Sequence, residues 1–294
     1  MNYGASGKLM LFGEYLILKG SQCLAIPLKY GQHLQVELAE KEINWISKNN
    51  EEVWFSGRFS SELKIIETTD SAIADTLIEI LKVIRSTKPD LFDSGLNFQT
   101  TLDFNRDWGF GSSSTLISLL SQWAEIDPYF LLQKSFGGSG YDIACATATT
   151  PIFYDMQTRQ TIPVYLFPKV TSKLLFIYTG KKQNSQREVE DFQSVSVLES
   201  DVAKMTQIIL TAAKATQIDV FENCMEESEE LLYGILKVSP IKKKFEDYPY
   251  FLKSLGAWGG DFFMATYRKE NEARTYFSER GFPVQFTYNE IIKR

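Results

Sequence analysis

Over the first hundred residues apolar positions fall in short runs that recur close to every second residue, the period of strands covering one face of a core. Segments 9–18, 24–38 and 43–47 carry this pattern with β-branched and aromatic residues, and shorter runs follow at 53–55 and 63–66. The period then lengthens. From Ser71 onward, Ile73, Leu77, Ile80, Leu81 and Ile84 recur at helical spacing until Pro89 closes the helix. Segment 96–104 reads as another strand, and Leu116, Leu119, Leu120 and Trp123 place an amphipathic helix behind it. Small residues at 143–149 predict a tightly packed helix. Segments 152–156 and 161–167 predict a hairpin whose second strand is limited by Pro163 and Pro168.

Beyond Pro168 the pattern gives a strand at 173–178, helices over 186–216 and 219–237, a helix near 241–253, a strand at 262–267, a helix near 269–280 and a last strand at 284–288. The change in pattern places a domain boundary near residues 168–172, giving domains 1–169 and 170–294 in an α+β architecture. No internal repeat is visible.

Composition narrows the chemistry. With 294 residues and 44% apolar content the chain has enough material for two cores. Its 31 basic and 37 acidic residues give a net charge of −6, and the only basic run, Lys242 to Lys244, reads as a solvated helix face rather than a nucleic-acid footprint. No apolar segment approaches the ~20 residues of a membrane-spanning helix. Residues 1–8 are unlike a secretory signal, so a cytoplasmic location is expected. Cys23, Cys145 and Cys224 are far apart and sit among apolar neighbours, the pattern of core thiols. His33 is the only histidine, which removes Ser/His/Asp, Cys/His and multi-histidine zinc chemistry. Carboxylates, lysines, hydroxyls and backbone dipoles remain.

Three glycine-containing segments could use those groups. In 109–114 (Gly-Phe-Gly-Ser-Ser-Ser), between a strand and a helix, glycines allow close backbone approach, a helix N-terminus offers N–H groups, and Ser112, Ser113 and Ser114 add hydroxyls. An anion site and a simple capped turn both satisfy this pattern. No Walker A, dinucleotide or protein-kinase motif is present. In 137–142 (Gly-Gly-Ser-Gly-Tyr-Asp), Asp142 is placed either to deprotonate a hydroxyl or to cap the next helix. Segment 255–261 (Leu-Gly-Ala-Trp-Gly-Gly-Asp) places small residues ahead of a strand, as a turn between helix and strand also would. Lys8, Met10, Phe12 and Glu14 share one face of the first strand, as either an edge or a cleft wall.

Together and in this order the segments resemble the motifs of the galactokinase, homoserine kinase, mevalonate kinase and phosphomevalonate kinase superfamily, the GHMP kinases. Segment 7–15 (Gly-Lys-Leu-Met-Leu-Phe-Gly-Glu-Tyr) resembles the N-terminal motif, 109–114 the central G-x-G-S-S-A/S loop, 138–142 the S-G-x-D segment, and 256–261 the C-terminal G-A-G-G-G-D loop. Segment 140–144 (Gly-Tyr-Asp-Ile-Ala) also resembles the subgroup named for that string.

The resemblance implies a two-domain fold: an N-terminal nucleotide-binding domain like domain 2 of ribosomal protein S5 and a ferredoxin-like C-terminal domain, with ATP between them. It implies transfer of the ATP γ-phosphoryl group to mevalonate or phosphomevalonate, with Mg²⁺. On that basis Gly109, Gly111, Ser112, Ser113 and Ser114 cradle the phosphates, with Ser113 near the metal. Asp142 acts on the acceptor and Lys8 stabilises charge at the attacking oxygen. Glu14, Ser139, Gly140, Ser185, Gly256, Ala257 and Gly259 line the acceptor pocket. The partner expected is a small-molecule acceptor, with no nucleic acid or membrane and a homodimer left open.

Departures from the pattern matter. Many mevalonate kinases carry a metal-binding glutamate shortly before S-G-x-D, but 130–135 holds no acid, which leaves Glu125 and Asp127 as the nearest candidates. Trp258 replaces a glycine of the last loop. Lys253 and Asp261, with 178–185, resemble phosphomevalonate kinase, and Lys181, Lys182 and Arg187 suit a phosphorylated acceptor. A diphosphomevalonate decarboxylase-like enzyme and a non-catalytic nucleotide-binding homologue are the alternatives.

Overall fold

A computed structural model describes residues 1–181, 185–256 and 260–293. In chain order the elements are β1 (Asn2–Phe12), β2 (Gln22–Ala39), β3 (Ile43–Asn49), β4 (Glu52–Phe59), β5 (Ile65–Thr68), α1 (Ser71–Thr87), β6 (Gly95–Leu102), α2 (Ser112–Ala124), α3 (Pro128–Lys134), α4 (Tyr141–Thr147), β7 (Ile152–Asp155) and β8 (Thr161–Pro163). Then follow α5 (Pro168–Thr171), β9 (Leu174–Tyr178), α6 (Ser185–Gln193), α7 (Glu199–Lys214), α8 (Ile218–Leu236), β10 (Leu252–Leu255), β11 (Phe262–Thr266), α9 (Glu270–Glu279), β12 (Gln285–Thr287) and α10 (Tyr288–Ile291). No described helix is long and apolar enough to cross a membrane.

The chain forms two compact units that interleave in sequence. The first holds 1–7, 30–106 and 110–147, and the second holds 8–29, 107–109 and 148–294. The boundary expected near 168–172 falls inside the second unit.

In the first unit the strands run β5-β4-β3-β6-β2, with β3 and β6 parallel and the other neighbours antiparallel. Alternation along β6 sends Leu96, Phe98, Thr100 and Leu102 to the buried face. Helix α1 starts because the Asp70 carboxylate accepts the Ile73 N–H at 3.1 Å, and it buries Ala74, Leu77, Ile80, Leu81 and Ile84. Each of these leucines and isoleucines contributes ~1.5–3 kcal/mol on burial. Trp45 stacks on Phe98 at 4.8 Å, and Trp123 of α2 meets Phe98 edge-on at 4.9 Å, which ties the helix layer to the sheet.

In the second unit β2 pairs with β7, which pairs with β8. A separate antiparallel sheet runs β10-β11-β9-β12. Numbered along the chain, its strands lie in the order 2-3-1-4 and are connected βα-ββ-αβ, the split-βαβ arrangement expected from the resemblance. Phe245, Phe263, Phe277 and Phe282 form its aromatic core.

Several elements differ from the sequence reading. Strand β1 stops at Phe12, because Gly13 turns the chain at φ +104, where a Cβ would lie 2.6 Å from the Gln22 carbonyl. Glu14 is therefore outside the strand. The helix expected over 186–216 is two helices, and the helix expected near 241–253 is a 3₁₀ turn (Ile241–Lys244) followed by β10.

Candidate active site

The 109–114 loop follows β6 after six intervening residues, 103–108. In the first unit Phe110 is fully buried, 6.1 Å from Tyr30 and 5.4 Å from Phe104, and anchors the loop. Gly7 gives it room: a Cβ there would stand 2.9 Å from the Phe110 carbonyl. Gly111, at φ +90, turns directly into α2, whose N-terminus has no side-chain cap and no acid in its first turn. The Gly111 carbonyl accepts the Thr115 N–H at 2.9 Å and the Ser114 hydroxyl at 2.9 Å. Thr115 Oγ1 donates to Gln32 Oε1 at 2.7 Å. The three serines thus separate by role. Ser114 is buried and structural, Ser112 is half-buried, and Ser113 is exposed at a helix end whose partial positive charge favours an anion.

Asp142 lies in the first turn of α4, which packs on α2. Gly137, Gly138 and Gly140 precede it at φ +66, +100 and +82, in the backbone region that only glycine enters without strain. Gly140 is buried and its carbonyl accepts the Ala144 N–H at 3.1 Å; Ser139 is half-buried. The Asp142 side chain is half-buried, and its Oδ1 accepts the Ile143 N–H at 3.1 Å.

In the second unit Lys8 Nζ donates to the Gly109 carbonyl at 3.1 Å. Gly109 sits at φ +64 with the Asp261 carboxylate against its α-carbon: a Cβ would lie 1.9 Å from Asp261 Oδ2. Asp261 is held by its own backbone, since its carbonyl accepts the Thr179 N–H at 2.9 Å, and Thr179 Oγ1 donates to the Gly260 carbonyl at 2.8 Å. The Tyr178 hydroxyl donates to the Asp107 carbonyl at 3.0 Å, and Trp108 packs edge-on against Phe286 at 5.2 Å. Burial, then the Asp107 and Asp261 charges, push the Tyr178 hydroxyl pKa up.

Glu14 does not stand open to solvent. It is 3% exposed, and its Oε1 accepts a 2.5 Å hydrogen bond from Nζ of Lys253, which is itself 0% exposed. Glu14 Oε2 is buried without a partner. Lys253 Nζ also lies 5.1 Å from the Phe12 ring centroid and donates to the Ser254 carbonyl at 3.0 Å. Glu229, from α8, accepts the Ser254 N–H at 2.9 Å and the Ile241 N–H at 3.2 Å. Burial raises both carboxyl pKa values, and the Lys253 charge opposes the rise. The lysine that resembles a phosphomevalonate kinase feature is thus buried and paired with Glu14.

Other expected residues fall elsewhere. Glu125 and Asp127 lie beyond the C-terminal end of α2, with Asp127 capping α3. At 1.5 Å per residue they are roughly 18 Å along the axis from Ser113, too far to share a cation with it. Arg187 is exposed and 4.0 Å from Asp191. Ser185 begins α6, and Gly256 turns at φ +73. Ala257, Trp258, Gly259 and Lys182 lie outside the described residues. His33 pairs with Asp103 at 3.0 Å, away from the glycine loops. No group of three metal-ligating side chains occurs among the described residues. Sequence reasoning gave no role to Asp261 or Glu229. The acid ending a glycine run was the available signal for the first; the second had none.

The sequence matches no protein-family model and no curated protein. Solved structures do match. Methanococcus jannaschii mevalonate kinase aligns at a TM-score of 0.73 and 16% identity, covering 100% of this chain and 98% of that one. Streptococcus pneumoniae phosphomevalonate kinase, in complex with phosphomevalonate and AMPPNP, aligns at 0.69 and 16% identity, covering 98% and 99%. Lactococcus lactis galactokinase, complexed with galactose, aligns at 0.68 and 13%, covering 100% and 95%. The chain has the GHMP kinase fold over its whole length.

Proposed function

We propose that the protein is an ATP-dependent small-molecule kinase that transfers the γ-phosphoryl group of ATP to a hydroxy acid of the mevalonate type. The observation that carries the reading is the α2 N-terminus, uncapped, entered through a left-handed glycine and carrying one exposed hydroxyl at Ser113. Such an end binds phosphate oxygens through backbone N–H groups and the helix dipole. The shared fold with kinases supports it.

In this reading the amides of Ser112, Ser113 and Ser114 take the ATP phosphates. The hard oxygen of Ser113 suits Mg²⁺, which when bound neutralises phosphate charge. Lys8, oriented by the Gly109 carbonyl, stabilises charge on the transferring group. Asp142 orients the acceptor hydroxyl and accepts its proton. Little covalent help is needed, because phosphoryl transfer is accelerated mainly by positioning and charge neutralisation. Mevalonate and phosphomevalonate are the candidate acceptors, and Lys253, buried and paired with Glu14, does not rank one above the other.

Purified protein with MgATP and mevalonate, phosphomevalonate, galactose or homoserine tests this by ADP release and product phosphate content. Turnover with mevalonate or phosphomevalonate is expected. Release of CO₂ from diphosphomevalonate would point instead to a decarboxylase, and tight AMPPNP binding without turnover on any acceptor to a non-catalytic homologue.

A further inference from the structure

The stem of the nucleotide loop, 107–109, is gripped within the second unit by four separate groups. Tyr178 holds the Asp107 carbonyl, Phe286 packs on Trp108, Lys8 holds the Gly109 carbonyl, and Asp261 covers the Gly109 α-carbon. The first two of these contacts act on residues 107 and 108, and the third reaches Gly109 only at its carbonyl oxygen. The fourth acts at its α-carbon. The Oδ2, Cγ and Cβ atoms of Asp261 lie 1.9, 2.1 and 2.6 Å from the position a Gly109 Cβ would occupy, so this side chain fills the space beside the α-carbon. Asp261 is itself fixed by Thr179, which bonds the Asp261 carbonyl through its N–H and the Gly260 carbonyl through its hydroxyl.

We propose that Asp261 is a positioning residue for Lys8: its carboxylate, packed on Gly109, fixes the peptide whose carbonyl orients the Lys8 ammonium. Only glycine can stand at 109, because it alone adopts φ +64 without strain and leaves room for Asp261. Asp261 directly precedes β11, so this contact joins the start of that strand to the stem of the nucleotide loop. The role of Lys8 rests on the kinase reading above, whereas the Asp261–Gly109 contact does not.

The test uses the full-length chain with Asp261→Ala, Asp261→Asn and Lys8→Ala, each confirmed folded by thermal unfolding. Asp261→Ala should lower kcat by about tenfold or more, with KM for ATP within about threefold, because a misplaced Lys8 is felt mainly in the transition state. Asp261→Asn keeps the shape and should return kcat to within about threefold of the unsubstituted protein. In the Lys8→Ala background Asp261→Ala should change kcat by less than about twofold, the non-additivity of residues acting as one unit. Additive losses, or Asp261→Asn as impaired as Asp261→Ala, would overturn the proposal. Hydrogen–deuterium exchange supplies a readout without turnover: the peptide spanning 107–109 should exchange several-fold faster in Asp261→Ala and not in Asp261→Asn. Unchanged exchange refutes the contact. If the unsubstituted protein phosphorylates no acceptor, the kinase reading fails and the exchange result alone decides the positioning claim.

Discussion

Replacing Lys253 with methionine removes the one positive charge set between two buried carboxylates while keeping most of its volume. At 2.5 Å the Lys253–Glu14 attraction is ~7 kcal/mol at an effective dielectric of ~20, and the loss of hydration of both groups offsets much of it. What the substitution exposes is a Glu14 carboxylate with no countercharge and one oxygen already without a partner, and it takes the nearby positive charge from Glu229, whose two oxygens keep their backbone N–H donors. Breaking a buried pair in this way costs ~3–5 kcal/mol, a large part of a total stability of ~5–15 kcal/mol. The sign with pH follows from the direction of the shifts. Both carboxyls have folded pKa values raised above 4.5, so the folded state binds more protons than the unfolded state. Their contribution is complete below pH 4.5 and is lost as pH rises through the folded values. Lys253→Met removes the opposing effect and steepens that fall. Urea unfolding followed by circular dichroism should show a loss of about 3–5 kcal/mol at pH 8 and a clearly smaller loss at pH 5. Glu14→Gln, which leaves a Lys253–Glu229 pair, should cost much less at pH 8. A Lys253→Met loss below about 1 kcal/mol at pH 8, or equal losses at both pH values, would refute the reasoning.

Asp142→Asn should lower turnover by about 10²–10⁴ while leaving AMPPNP affinity, measured by calorimetry, within about twofold; a small effect on turnover would leave Asp142 as a helix-terminal acid only. Gly111→Ala places a Cβ at φ +90, at a cost of about 1–2 kcal/mol, and should weaken AMPPNP binding by roughly 5–30-fold. Thr115→Val leaves the buried Gln32 carbonyl oxygen without its 2.7 Å donor and should destabilise by about 1–3 kcal/mol in urea. Burial pushes the Cys224 thiol up to about 11, and all three cysteines are buried, so iodoacetamide at pH 8 should label the folded chain only at the rate of unfolding.

Local signals carried most of the architecture. Alternation located β2, β3 and β6, the helical period located α1 and α2, and the 109–114 and 137–142 loops fell at helix starts as expected. Helix α3 was missed although Asp127 and Pro128 form a cap and first-turn pair. The helix expected over 241–253 failed because β10 is buried on both faces and shows no alternation, and Lys253 within it reads as surface until its two acidic partners are known. One of those, Glu14, is 239 positions away in sequence. The single helix expected over 186–216 overlooked the Ser-Val-Ser-Val run at 194–197, whose β-branched and hydroxyl residues favour a break. The same limit applies to the site: Ser113 and Ser114 look alike in sequence, and only burial separates the exposed hydroxyl from the structural one.

The interleaving of the two units bears on how the chain is made. Segment 8–29 belongs with 148–294, and 1–7 belongs with 30–147. A ribosome therefore delivers 8–29, where β1 and β2 pair with each other, long before 148–294, and nearly the whole of the first unit emerges between them. The apolar run from Leu9 to Phe12 waits more than a hundred residues for the rest of its unit, at ~5–20 residues per second. A cut between 147 and 148 leaves the whole of the first unit on the N-terminal fragment, but it strips 8–29 and 107–109 from the second. Expression of 148–294 alone should consequently fail where expression of the intact chain succeeds.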